Sequence, residues 1–314
     1  MGTTTPAPDN KSTIMGLAAI VLWSTHIGVS RSLAESIGAL TSTALMFLVA
    51  GIVGWVAAPP NLSQQGPRLL LLARGGLFAA YTVSLALAIG LSSHRQQTLE
   101  VAILNYLWPA LTLLLAIPLL GQRARPTFVL GLALAVAAAI LAPLRPGAWS
   151  PADFAQTLRS NPWPYGLAVL AALLWALYST LSRRWAAHAS TGAVPLFSLG
   201  AGCALLALRP FFPEPFRWTP PTVLELTYMA LLPTLLAYSM WDRAMRKGHV
   251  TLVVACSYAI PVLSTLASAL YLRVTVAWTV WVACALVALG AFVSHVSMRA
   301  GIGPSAVRRD ETTP

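Results

Sequence analysis

Apolar runs of about 20 residues follow one another along almost the whole chain, and this constrains the fold more than any other feature. A run of that length, wound as a helix, crosses the roughly 30 Å hydrocarbon core of a bilayer. The runs fall at 12–32, 38–58, 68–91, 96–119, 126–143, 162–186, 191–209, 220–243, 248–271 and 275–297. Charged residues are only 9% of the 314, against about 25% in a soluble domain, too few to cover a surface facing water. The expected fold class is an all-α membrane protein with ten transmembrane helices, because a helix bonds its own backbone where lipid cannot.

The connections are mostly short and carry turn formers, as in Pro59-Pro60-Asn61 and the stretch from Pro143 to Pro146. The longest, 144–161, is rich in Pro, Ser and Gly and reads as a loop too short to fold alone. The first dozen residues are polar. The run after them is too long for a signal-peptide core and no small-residue cleavage site follows, so it is expected to stay as the first span.

A net charge of +11 raises nucleic acid as a partner, but that needs clustered bases with interleaved aromatics or a known motif. Here the bases sit in ones, twos and threes at the ends of apolar runs, which excludes nucleic acid and fits the positive-inside rule. Lys11, Arg68, Arg123, Arg125, Arg183, Arg184, Arg243, Arg246, Lys247, Arg299, Arg308 and Arg309 fall on the side where the chain begins. Arg31, Arg95, Arg145, Arg159, Arg209, Arg217 and Arg273 fall on the other. The excess predicts that both termini are cytoplasmic. Cys203, Cys256 and Cys284 lie inside apolar runs without CxxC spacing, so neither a disulfide framework nor a metal site is expected.

The two halves repeat. Trp23 and Trp175, Arg31 and Arg183, Tyr106 and Tyr258, and Pro109 and Pro261 are each 152 positions apart. The offset pairs the first run with the sixth and the fourth with the ninth. The chain thus divides into five-helix repeats at 1–146 and 147–314. Five is odd, so the second repeat enters from the opposite side. Such inverted-topology repeats build many secondary transporters, with the site at the repeat interface.

Polar groups recur at matched depths. Trp23, His26 and Ser30 form one stripe at i, i+3 and i+7, and Trp175, Tyr178 and Ser182 repeat it. Such atoms face either protein, as bridges between helices, or a wet cavity. In the fourth run Asn105, Trp108 and Thr112 share a face, beside Tyr106. Pro109 removes a backbone donor and predicts a kink that frees a carbonyl near 105. Ser257, Tyr258 and Pro261 hold the equivalent place in the ninth.

Glu100 is an acid inside a span, either a coupling group or half of a structural pair with Arg95 or His94. His26 is a hydrogen-bonded neutral ring or a proton carrier. Asp242 and Arg243 close the eighth run. Trp55, Trp149, Trp163, Trp185, Trp218, Trp278 and Trp281 sit near run ends or in loops, as in interfacial belts. Trp23, Trp108 and Trp175 do not.

HExxH, Walker A, GxGxxG and GxSxG are absent, so no cofactor and no nucleotide hydrolysis are expected, and any work must use a gradient or run downhill. An intramembrane enzyme would need a pair such as Ser30 with His26, and no third orienting group or oxyanion motif accompanies them.

The run Gly16-Leu-Ala-Ala-Ile-Val-Leu-Trp-Ser-Thr25 resembles the start of the YddG-type aromatic amino-acid exporters of the drug/metabolite transporter superfamily. Leu99-Glu100-Val101 followed by Asn105-Tyr106-Leu107-Trp108-Pro109 is similar to that group's fourth helix, with weaker support from Gly121-Gln122 and Ser257-Tyr258 with Pro261. Ala102 stands where the group more usually has glycine. The resemblance implies a bacterial inner-membrane transporter exporting aromatic or other bulky neutral amino acids by alternating access, a monomer sufficing for the pathway. A broader drug or metabolite exporter would use the same cavity. Trp23, His26, Asn105, Tyr106, Trp108, Trp175, Tyr178 and Tyr258 are the expected lining, with Pro109 and Pro261 as kinks and His26 and Glu100 as coupling candidates. Aromatic faces suit the ring of such a substrate, and Asn105 its polar end.

Overall fold

The computed structural model describes residues 9–65, 67–144, 151–185 and 193–299. Arg145 and Trp149, and the side chains of Arg183, Arg184, Trp185, Asp242, Arg246, Lys247 and Arg299, lie outside that description, as do Arg308 and Arg309.

Helices dominate. In chain order they are α1 (Asn10–Ser24), α2 (His26–Ile37), α3 (Ala39–Ala57), α4 (Arg68–Gly90), α5 (Arg95–Asn105), α6 (Trp108–Leu120), α7 (Thr127–Leu141) and α8 (Pro151–Ser160). They continue as α9 (Pro162–Trp185), α10 (Val194–Leu208), α11 (Pro220–Met229), a π-helical turn (Ala230–Leu236), α12 (Ala237–Lys247), α13 (Val250–Ser257), α14 (Ile260–Leu272) and α15 (Trp278–Val296). Joined where they run on through a kink, they make eight helices long and apolar enough to cross a membrane among the described residues, with the shorter apolar helices α7 and α14 beside them. Val56, Leu69, Leu72, Leu224 and Leu270 are exposed, a surface suited to lipid tails.

Three differences from the expected pattern have local causes. Residues 151–160, expected as loop, form α8. The first span continues past 32 to Ile37, broken at Thr25, whose hydroxyl donates to the Leu22 carbonyl at 2.8 Å. The eighth carries a π turn around Pro233, which has no N–H. The Thr234 hydroxyl donates to the Met229 carbonyl at 2.7 Å, satisfying the acceptor that the proline leaves open.

The 152-residue offset governs the backbone as well as the sequence. α5 ends at Asn105 and α13 at Ser257; α6 starts at Trp108 and α14 at Ile260. Each break sits just before a proline at the second position of the new helix, so the carbonyls of Asn105 and Ser257 lose their usual i+4 donors. Both new helices end in a left-handed residue, Gly121 at φ 66° and Arg273 at φ 52°. The packing obeys the same exchange: α3 lies on α10 and α7 on α15, while α1 lies on α12 and α4 on α9.

The bundle is tied at both ends. Near the start of the chain Asp9 caps α1, accepting from the backbone of Lys11 and Ser12, and its bond from the Ser12 hydroxyl holds its carboxyl below the ordinary range. There β1 (Arg123–Ala124) pairs antiparallel with β2 (Met298–Arg299). At the far end Glu214 caps α3 through Leu40 and Thr41, next to Gly38 at φ 88°.

Candidate functional site

α4 and α9 run antiparallel, and one stripe of each meets the other in register. The stripe on α4 is Arg74, Phe78 and Tyr81; that on α9 is Ser182, Tyr178 and Trp175. Tyr81 and Trp175 lie 4.7 Å apart between ring centroids, Phe78 and Tyr178 5.4 Å, and Arg74 Nε donates to Ser182 Oγ at 3.2 Å. Trp175 is the hub, also meeting Trp108 at 6.3 Å, Phe78 at 6.2 Å and Tyr178 at 5.3 Å. Phe197 of α10 closes the side against Phe78 and Tyr178, both at 6.1 Å. Offset and edge-on contacts of this kind present ring faces and edges to a planar guest.

Asn105 stands beside this stack. It is 5% exposed, its amide neighbours the Tyr81 hydroxyl, and its Oδ1 is buried without a hydrogen-bond partner among the described residues. A buried acceptor without a donor is costly and rare in native proteins. The break after Asn105 adds a backbone carbonyl with no helical donor at the same level.

The repeat-related stripe holds a second aromatic group. Trp23 meets Tyr238 and Trp241, each at 5.2 Å, and its Nε1 donates at 3.0 Å to the carbonyl of Pro233. Pro233 is the counterpart of Tyr81, so Trp23 and Trp175 make equivalent pairings in the two halves. The Tyr238 hydroxyl lies within electrostatic reach of Tyr81 and Tyr178.

The other expected residues divide. Tyr106 turns toward Ser264 of α14 and packs into the core. Tyr258 lies against Phe292 and His295 of α15, at 6.3 and 5.9 Å, and no ring contact joins it to the Trp175 stack among the described residues. His26 Nδ1 is 3.4 Å from Ser30 Oγ, a long contact, and among the described residues no carboxylate bonds to either. The Thr112 hydroxyl bonds back to the Trp108 carbonyl, serving its own helix.

Glu100 stands apart from the stack. The Tyr165 hydroxyl donates to it at 2.6 Å, and both line a polar cavity of about 610 Å³ with Gln97, Asn161 and Thr275. Arg95, weighed as its partner, is bound elsewhere. It and Arg31 both donate to Glu35, while Arg31 also caps the carbonyls of Ile89 and Ser92, and Arg95 that of Leu272. Glu225 accepts from Ser32 and Tyr271. These two carboxylates clasp α2 to α4, α5, α11 and α14 at the far end.

Arg74, Phe78, Tyr81 and Tyr238 escaped the sequence reading. The aromatics had no motif to mark them. Arg74 did carry a signal, since every other Lys and Arg was assigned to a run end while Arg74 sits inside the third run.

Comparison with known proteins agrees with this architecture. A sequence profile of the EamA-like transporter family matches residues 10–143 and again 162–295, two segments related by the same offset. The aromatic amino acid exporter YddG of Salmonella typhimurium is 30% identical over 292 residues, covering 93% of this chain and 99% of that protein. Its Escherichia coli counterpart of the same name is 30% identical over 293 residues, with the same coverage. That of Ancylobacter novellus is 32% identical over 301 residues, covering 92% and 99%. A crystal structure of a protein 28% identical to this chain superposes with a TM-score of 0.65 over 91% of this chain and 97% of that one.

Proposed function

Since the chain belongs to the EamA-like transporter family, we propose that this multi-pass membrane protein exports aromatic amino acids from the bacterial cytoplasm across the inner membrane. The observation that carries the reading is the antiparallel aromatic stack centred on Trp175, with the Asn105 Oδ1, unpartnered among the described residues, at its edge. Ring faces take the substrate's ring, and Asn105 with the free carbonyl beside it takes the ammonium. Trp23, His26, Trp108 and Tyr178 complete the lining, with Tyr106 and Tyr258 supporting the broken helices behind it. Relatives over nearly the whole chain bear the same activity in their names.

Two five-helix units, 1–146 and 147–314, of inverted topology supply the motion. The breaks before Pro109 and Pro261 are its flexing points, and the Glu35 and Glu225 clasps hold the far end shut in this state. Both termini are cytoplasmic on this reading, a monomer is sufficient, and the role is transport rather than catalysis.

Counterflow in proteoliposomes tests it. Phenylalanine or tryptophan loaded inside should accelerate uptake of the same labelled amino acid without ATP. Robust movement of an unrelated metabolite and of no aromatic amino acid would assign the fold a different cargo.

A further inference from the structure

Arg74 is a cation in the wrong place for a positive-inside anchor. It is 4% exposed, inside a membrane-crossing helix, and takes part in none of the ion pairs among the described residues. Its neighbours are neutral: Ser182 Oγ at 3.2 Å, the Gln65 carbonyl and amide oxygens at 3.5 and 3.4 Å, and the Phe197 ring 5.4 Å from the guanidinium carbon. The Gln65 contacts are at the long limit of hydrogen bonding, and Nη2 makes none to the described residues. A guanidinium buried without an anion is strongly disfavoured, and its fork of donors matches a carboxylate.

A purely structural bracket between α4 and α9 is the competing account. The repeat argues against it, because the counterpart of Arg74 is Leu226, so the equivalent position of the other half is filled without a cation. The position is also specific. Arg74 lies four residues from Phe78, about 6 Å along the helix, beside the Phe78–Tyr178 layer of the stack. That is about the separation of ring and carboxylate in an aromatic amino acid.

We propose that Arg74 is the carboxylate subsite of the transport pathway, binding the acid group of an aromatic substrate whose ring enters the Trp175 stack. This rests on the proposed function and adds a chemical requirement to it: the cargo carries a carboxylate. Arg74→Gln removes the charge at similar length, and Arg74→Lys keeps the charge without the planar fork.

Three ligands are offered in counterflow to wild type and both variants: phenylalanine, 2-phenylethylamine, which lacks the carboxylate, and 3-phenylpropionate, which lacks the amine. Losing a hydrogen bond to a charged group should weaken the two carboxylates tenfold or more in Arg74→Gln and leave phenylethylamine within twofold. Arg74→Lys should fall between wild type and Gln. Equal losses for all three ligands, or none, in variants that melt as wild type does would overturn the subsite. If Arg74→Gln does not fold, the Lys variant decides on the same ratio of phenylalanine to phenylethylamine. Wild type that moves none of the three sinks the export reading itself. Wild type that moves phenylalanine with a ratio unaffected by either variant sinks only the role of Arg74.

Discussion

At the residue scale the molecule separates exposed aromatic side chains from those that pack together inside the bundle. Trp163, Trp218 and Trp278 are 69%, 42% and 51% exposed, as suits rings in the headgroup region. Trp175 is half-buried and touches four other rings. Removing a stacking partner costs about 0.5–1.5 kcal/mol beyond lost area, or several-fold to tenfold in affinity. Trp175→Ala and Trp108→Ala should therefore weaken phenylalanine and tryptophan by that factor, and a small neutral amino acid less. Trp278→Ala should lower expression or melting temperature with selectivity unchanged. Melting comes first, because truncating a buried tryptophan can cost about 3–5 kcal/mol through the cavity alone. Unaltered affinity in well-folded Trp108 and Trp175 variants would move the site elsewhere.

At the element scale the recurring device is a helix interrupted by proline and closed by a left-handed residue. α5–α6 and α13–α14 are built alike from break to cap. The caps differ in chemistry: Gly121 takes positive φ freely, whereas Arg273 does so against its Cβ. No atom lies within 4 Å of a Cβ built on Gly121, so a substitution there tests conformation alone. Gly121→Ala should lower stability by about 1–2 kcal/mol, and Arg273→Gly should raise it by a similar or smaller amount. Thermal melting in detergent checks both, and a stable Gly121→Ala protein would deny the left-handed cap its importance. The π turn at Pro233 is a third interruption, and its proline carbonyl is where Trp23 docks. On the proposed reading, interrupted helices supply both the polar atoms and the flexing points of the bundle.

At the scale of the whole molecule, the proposed orientation places Ser63 on the cytoplasmic side and Ser93 outside; both are exposed. In a background lacking Cys203, Cys256 and Cys284, Ser93→Cys should react with an impermeant thiol reagent in intact cells. Ser63→Cys should react only after permeabilisation. The reverse pattern would invert the topology. The exchange of α1 on α12 with α4 on α9 builds each aromatic group from one helix of either half, each in a different setting. One half holds Arg74 with its neutral neighbours, while the other holds Leu226 and a tryptophan bonded to backbone. A symmetric frame therefore carries an asymmetric interior.

Membrane residence, eight of the ten expected spans and the repeated sequence could be read from residues because each is a one-dimensional property. Hydropathy accumulates along a run, and the 152-residue offset needs only two strings to be compared. Trp175, Tyr178 and Ser182 were legible as a stripe because i, i+3 and i+7 share a helix face whatever lies opposite. What lies opposite was not legible. Nothing local says that Tyr81 meets Trp175, that Arg95 joins Glu35 rather than Glu100, or that Tyr258 faces Phe292 and His295. Helix periodicity fixes which residues share a face, but lipid lets that face turn toward any neighbour with small or matching groups. Only the packing of the helices against one another decided which polar atoms found partners. Among the described residues it left the Asn105 oxygen without one and Arg74 without an anion.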